Sequence, residues 1–168
     1  MTVLQDFYLQ SYNRVVSKMH FRLASLEDIQ LLIDLRKQLL VEEGQIVSCN
    51  IEEELKRFFE HQISSNQYVQ WLVEKDHNVI ATGAIQFISF PPSYFNPTGI
   101  RGYISNMYTH VESRNKGIGK QLLNQLLTEA KKRKVHHIFL ISSEIGKPLY
   151  KKMGFKENEI YMEYFLSI

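Results

Sequence analysis

Arg114-Asn115-Lys116-Gly117-Ile118-Gly119 joins a β-rich segment that ends near His110 to a strongly periodic segment running to about Lys132. In the latter, Leu122, Leu123, Leu126, Leu127 and Ala130 fall on one helical face, and Gln121, Asn124, Gln125, Thr128 and Glu129 on the other. The spacing predicts a helix whose first turn has backbone N–H groups with no intrahelical acceptor. Gly117 and Gly119 remove the side chains that would hold an anion away from those groups, and such a helix start attracts phosphate. Arg114 and Lys116 add positive charge where it opposes the helix dipole, a conflict that an anionic ligand would resolve. An ordinary strand-to-helix glycine turn is the alternative, and the hexapeptide alone leaves both readings open.

Two familiar phosphate loops fail on spacing. Leu122 stands where a dinucleotide fingerprint needs its third small residue, and no acidic residue follows about 20 positions on in the required context. A P-loop ending at Gly119-Lys120 would need Gly at Arg114 and Ser or Thr at Gln121. The helix dipole contributes about 0.3 to 1 kcal/mol per charge, whereas micromolar binding needs about 8 kcal/mol. A ligand held here therefore extends beyond its phosphates.

At 168 residues and 44% hydrophobic content, the chain suits one globular domain with a real core. Twenty basic and 18 acidic residues leave a formal charge of +2, so no global field points to nucleic acid or membrane. The basic run Lys131-Lys132-Arg133-Lys134 falls where cations complement a helix C-terminus. A single cysteine, Cys49, allows no internal disulfide and fits a reducing compartment. No secretory h-region or long apolar run is present, so a cytoplasmic location is expected. The six histidines show no metal-ligand spacing; His136 and His137 are adjacent on a predicted strand and point to opposite faces. No metal is expected.

Residues 1–18 are weakly helical in pattern, and Met19 precedes the point where clear domain patterning begins. They read either as an appendage or as a start-site extension ahead of a domain spanning 19–168. His20 to Leu23 reads as a strand, and Ser25 with Asp28 as the cap of a first helix carrying Leu26, Ile29, Leu32, Ile33 and Leu40. Asn50 and Glu53 cap a second helix that runs to about Ser64. Glu42, Glu43, Glu52, Glu53 and Glu54 lie around these helices, as a solvated face or as an attraction for a cationic substrate. Tyr68 to Glu74 and Val79 to Phe90 read as a hairpin turning at Asp76-His77-Asn78, with Gly83 marking a bulge or a close backbone approach. Pro91 to Gly99 is a loop whose Tyr94 and Phe95 are placed either to wall a cleft or simply to pack. Gly102 to His110 and His136 to Ser142 flank the periodic helix as strands of a parallel crossover. Pro148 to Phe155 reads as a short helix opened by Pro and closed by Gly154, and Ile160 to Leu166 as a last strand. The order describes a mixed sheet with helices on both faces.

Two motifs resemble the GNAT superfamily of acetyl-CoA-dependent N-acetyltransferases. Arg114-Asn115-Lys116-Gly117-Ile118-Gly119 is similar to that family's Arg/Gln-x-x-Gly-x-Gly/Ala loop, and Tyr150-Lys151-Lys152-Met153-Gly154-Phe155 to its Tyr-x-x-x-Gly-Phe signature. The resemblance covers roughly Met19 to Leu166. It implies an α/β (α+β) fold: a single-domain, mixed, mostly antiparallel sheet flanked by helices, with a splayed pair of parallel strands.

It further implies that acetyl-CoA is the co-substrate and a primary amine the acceptor. The backbone of Arg114, Asn115, Lys116, Gly117, Ile118, Gly119 and Lys120 is expected to hold the pyrophosphate. The strand at Met107, Tyr108 and Thr109 would face the pantetheine, with one N–H polarising the thioester carbonyl. The amine would attack directly, and Tyr150 would protonate the departing thiolate. Val111 replaces a usual Pro, Ser143 a usual pantetheine-contacting Asn, and Asn106 stands where some members carry a general base. Glu43, His110, Glu112 or a water chain is left as base. The alternative is a non-catalytic acyl-CoA-binding sensor or interaction module, and a homodimer is compatible with either reading.

Overall fold

The computed structural model describes residues 18–158 and 162–166; residues 1–17, and with them nearly all of the expected appendage, lie outside the described part. The elements are β1 (His20–Leu23), a 3-10 turn (Leu26–Asp28), α1 (Ile29–Glu42), α2 (Glu52–Ser64), β2 (Tyr68–Lys75), β3 (Asn78–Ser89), β4 (Ile100–Thr109), a second 3-10 turn (Val111–Ser113), α3 (Ile118–Lys132), β5 (His137–Leu140) and α4 (Lys147–Lys152). The five strands form one sheet in chain order. β1 to β4 pair antiparallel and β4 with β5 parallel. This is the expected mixed, mostly antiparallel sheet.

Strand alternation feeds two cores. Tyr68 and Leu72 of β2 and Ala84 of β3 pack with Leu32, Ile33, Leu35 and Leu39 of α1 and Phe59 of α2. On the opposite face Ile85, Phe87 and Ile104 meet Leu123, Leu126 and Ala130 of α3. Leu122, Leu123 and Leu126 are fully buried, each contributing about 1.5 to 3 kcal/mol relative to exposure. The apolar stripe read from the sequence is thus the seam between α3 and the sheet. The hairpin turns through Asp76 and His77, both with positive φ, as a two-residue connection between right-twisted strands requires.

β4 changes face partway along its length. Ile104 packs on the α3 side, yet Tyr108, four residues on, packs on the α1 side, whereas an unbroken period of two would keep them together. The pairing with β3 slips between Ser105 and Tyr108: Asn106 and Met107 lie opposite Gly83 alone, and Asn106 has φ of +52°. This is a β-bulge. A Cβ on Gly83 would lie 2.5 Å from Met107 Sδ, so both readings of Gly83, bulge and close approach, hold at once.

Two expectations fail. Of the expected strand Ile160 to Leu166, residues 160 and 161 lie outside the described part; residues 162–166 form no strand, and Met162, Tyr164, Phe165 and Leu166 are exposed: the run is rich in apolar residues, but no described edge pairs with it. Tyr94 and Phe95 project fully into solvent. They sit at the tip of a turn closed by paired hydrogen bonds between Ser93 and Asn96, which directs both rings outward.

Ser25 caps the first 3-10 turn as expected, its hydroxyl accepting from the Glu27 N–H while Asp28 accepts from the Ser25 N–H. Asp28 also receives both terminal nitrogens of Arg22 at 2.8 Å, and Arg22 Nε reaches Glu74 at 2.7 Å, so one guanidinium joins β1, β2 and the entry to α1. The Arg22 hydrogen bonds outweigh the effect of burial and hold Asp28 below the ordinary 3.8. A depressed carboxyl stabilises the fold above the ordinary value, and that contribution disappears as pH falls through the depressed one. Asp28→Asn is therefore expected to lower unfolding free energy by about 1 to 3 kcal/mol at neutral pH. Urea titrations should show the gap to the parent protein closing below about pH 4.

Candidate active site

β4 and β5 pair only from Arg101–His137 to Ile104–Leu140. Beyond that point β4 continues to Thr109 with no strand on its β5 side among the described residues, and a cavity of about 810 Å³ opens in the gap. Met107, Tyr108 and Thr109 form one wall, and Arg114, Asn115, Gly117, Ile118, Gly119 and Lys120 another. Ser143 lines the far side. Two sequence-predicted residues do not line the cavity. Lys116 turns aside, its ammonium donating to the Glu112 carbonyl at 2.7 Å. Tyr150 is buried in the α3-side core, with its ring against Phe155.

The hexapeptide folds as its residue types allow. Asn115 and Gly117 take left-handed φ of +62° and +76°, conformations that Asn tolerates and Gly prefers. The first N–H that bonds back into α3 is that of Gln121, to the Gly117 carbonyl. Among the described residues, no backbone N–H from Asn115 to Lys120 has a protein acceptor. Nothing lies within 4 Å of where a Gly117 Cβ would be, and a Gly119 Cβ would meet only Leu149 Cδ2, at 3.2 Å. A row of donors at a helix start, open on the cavity side, fits a pyrophosphate.

The cations resolve their conflict with the dipole without a ligand. Arg114 bends away from the loop: Nε donates to the Thr109 carbonyl at 2.9 Å and a terminal nitrogen pairs with the Glu42 carboxylate. The other Glu42 oxygen accepts from the Tyr108 hydroxyl at 2.9 Å. Burial pushes Glu42 up, but the hydrogen bonds from Tyr108 and Arg114 prevail and hold it below its ordinary value, so it is an anion. Tyr108 is pushed up to about 12 by burial and by Glu42. Sequence reasoning left Glu42 either on a solvated acidic face or as an attraction for a cationic substrate, and did not pair it with Tyr108 and Arg114.

A buried polar chain supports the bulge. Arg36 of α1 donates to Asn106 Oδ1 at 3.1 Å, and Asn106 Nδ2 to the Tyr68 hydroxyl at 2.7 Å. Tyr68 donates to Gln70 Oε1 at 2.7 Å, and Gln70 Nε2 to Thr82 Oγ1 at 2.7 Å. Burial pushes the Tyr68 phenol far up against the opposing pull of Asn106, so the hydroxyl stays protonated and the chain keeps its direction. Asn106 is thus a structural amide. None of these residues was legible as a unit, because α1, β2, β3 and β4 each supply only part of it.

Of the possible bases, Glu43 lines the cavity, and His110 and Glu112 do not. Tyr150 lies directly behind the wall: a Cβ on Gly146 would touch its ring at 3.1 Å. Burial, Glu43 and Tyr103, in that order, push its phenol up to about 12, so it carries its proton at neutral pH. Ser143 Oγ accepts from the Gly146 N–H at 3.2 Å, which fixes the bend beside the cavity. No group of three or more His, Cys, Asp or Glu among the described residues is arranged to hold a metal.

A central strand parting from its parallel neighbour above a glycine-opened helix start defines a binder of a phosphate-bearing ligand with an extended arm. The family model for the acetyltransferase (GNAT) family matches residues 35–155, and the chain belongs to that family. It is 43% identical to a predicted acetyltransferase from Clostridium acetobutylicum, whose crystal structure is with acetyl-CoA; 88% of this chain and 96% of that one are covered, at a TM-score of 0.87. A GCN5-related N-acetyltransferase from Ralstonia eutropha JMP134 shares the fold at 24% identity, 88% and 99% coverage and a TM-score of 0.81. Glucosamine-6-phosphate N-acetyltransferase from Arabidopsis thaliana shares it at 22%, 89% and 99%, and 0.69. Comparison with curated proteins gives no match. No helix among the described residues is long and apolar enough to cross a membrane.

Tyr68→Phe removes the hydroxyl at the centre of the buried chain and leaves Asn106 Nδ2 and Gln70 Oε1 without that partner. Each group so stranded costs about 1 to 3 kcal/mol. Chemical denaturation should register a loss in that range or above, larger than the loss from Tyr164→Phe on the exposed segment.

Proposed function

We propose that this protein transfers the acetyl group of acetyl-CoA to a primary amine. The observation that carries the reading is the row of unpartnered N–H groups from Asn115 to Lys120, set beside the unpaired edge of β4 in one cavity. Acetyl-CoA supplies an activated acyl group. The loop N–H groups and Lys120 hold the pyrophosphate end, and Ser143 and the edge at Met107 to Thr109 align the arm. A main-chain N–H of that edge faces the carbonyl oxygen, where negative charge develops. Glu43, which lines the cavity, draws an ammonium toward the site; the ammonium gives up one proton to solvent, and the amine attacks in its neutral form. Tyr150 holds the proton destined for sulfur. The new bond is N–C, the broken bond C–S, and the proton lost by the amine balances the one gained by the thiolate.

The burial of Tyr150 favours a second reading, a non-catalytic acyl-CoA-binding module. Thiol release from acetyl-CoA with a mixed amine panel is expected under the first reading and absent under the second.

Tyr150→Phe should lower kcat by about 10² to 10⁴ and leave acetyl-CoA affinity nearly intact; unchanged turnover across several pH values would remove Tyr150 from the role. Gly119→Glu places bulk and negative charge at the helix start. Calorimetry should find acetyl-CoA binding abolished, and parent-like affinity would refute the loop assignment.

A further inference from the structure

We infer that Glu42 is a positioning residue for acetyl-CoA: anchored on the Tyr108 hydroxyl, its carboxylate holds Arg114 and, through it, the near end of the pyrophosphate loop. This inference rests on the transfer reading above.

The loop has little of its own to keep it in shape. Asn115 and Gly117 stand in left-handed backbone, and among the described residues no N–H from Asn115 to Lys120 has a protein acceptor. Its far end is fixed by burial, because Ile118 is 2% exposed and packs with Val73, Ala81 and Leu122. The near end is fixed by side chains. Lys116 donates to the Glu112 carbonyl, four residues back, and so ties the loop to its own stem. Arg114 ties it to other elements, through Nε to the Thr109 carbonyl at 2.9 Å and through a terminal nitrogen to Glu42. Glu42 is 72 residues from Arg114 and 66 from Tyr108 in the sequence, so this brace exists only when α1 is docked beside β4. The Tyr108 hydroxyl donates to one Glu42 oxygen at 2.9 Å, and Gln38 Nε2 donates to the same oxygen at 3.3 Å. Both orient the carboxylate so that its other oxygen meets Arg114.

Charge decides between a brace and a bystander. Glu42 lines the cavity, and a carboxylate in a cavity that takes a pyrophosphate is a like charge, so by Coulomb's law alone its removal tightens binding. Removal also releases the Arg114 guanidinium to meet the phosphates directly. A brace acts in the opposite sense. With Glu42 gone, acetyl-CoA has to order the loop on arrival, and affinity falls. The fall cannot exceed the stabilisation that the brace supplied. The Arg114 and Glu42 side chains are 37% and 29% exposed, so a partly screened pair of modest strength sets the scale.

The test is calorimetry of acetyl-CoA with the full chain and no amine present. Glu42→Ala should weaken binding about three- to tenfold, and Glu42→Gln, which keeps the length and one acceptor oxygen, should weaken it less. Tyr108→Phe should act in the same direction. In an Arg114→Ala background, Glu42→Ala should change affinity by less than about twofold, because the group it acts through is gone. Asp28→Asn, which weakens the fold at the entry to α1, should leave affinity unchanged and so separates positioning from general stability. In thiol release with an amine panel, the Glu42→Ala loss should fall on KM for acetyl-CoA and leave kcat within about threefold. Unchanged or tighter binding in Glu42→Ala, losses that add in the double variant, or an equal loss in Asp28→Asn would overturn the positioning role, and with thiol release intact would leave acetyl transfer standing. The expected pattern of affinities without thiol release would support the positioning role and overturn acetyl transfer. A parent protein that does not bind acetyl-CoA would overturn both.

Discussion

Everything at this site depends on β4 serving two faces of the sheet. Up to Ile104 it is an ordinary central strand, paired on both edges; from Asn106 it is one residue out of register with β3 and has left β5. The switch requires Asn106 in left-handed backbone, which costs roughly 1 to 2 kcal/mol for a residue with a Cβ. Its side chain offsets that cost, because it accepts from Arg36 and donates to Tyr68, and each buried bond contributes about 0.5 to 1.5 kcal/mol, more where one partner is charged. The bend is stable because the amide that makes it is held from α1 and β2 together. It also turns Tyr108 toward Glu42, so the bulge brings the end of α1 and the strand edge to one cavity.

The elements themselves were legible because they obey simple periods. The stripe on α3 gave its buried seam, Ser25 with Asp28 gave the start of α1, and Asn115 and Gly117 stood where left-handed backbone was needed. The bulge was not legible. Ile104, Asn106 and Tyr108 alternate with Tyr103, Ser105 and Met107 as though one face ran through, and a one-residue slip leaves no mark in composition. Only Gly83, on the neighbouring strand, recorded it, by having no Cβ where Met107 Sδ lies. The terminal strand failed for another reason: an apolar, aromatic-rich run suggests a strand, but a strand also needs an edge to pair with, and residues 162–166 are exposed.

Electrostatics around the loop separate what the protein satisfies internally from what it leaves open. Arg114 and Lys116, misplaced by dipole reasoning, seemed to call for an anionic ligand. In the fold Arg114 is committed to Thr109 and Glu42, and Lys116 to Glu112. The cations are therefore poor evidence for a ligand, since they brace the loop against α1 and the end of β4. The main-chain donors of Asn115 to Lys120 are the better evidence. Among the described residues they have no acceptor, and the glycine positions leave space in front of them.

Glu43 links the two ends of the proposed reaction. A phenol near 12 is a weaker acid than a thiol of ordinary pKa about 8.5, so passing its proton to a thiolate is uphill from the empty site, and the role proposed for Tyr150 asks that this phenol become more acidic when the acceptor is bound. Part of that upward push comes from the Glu43 carboxylate, which also lines the cavity where an ammonium would enter. A cation seated against Glu43 offsets its charge as seen from Tyr150 and lowers the phenol's pKa toward its ordinary value of 10.0. In the proposed reaction the acceptor's arrival would make the transfer less unfavourable, while burial, the larger cause of the upward push, stays in place.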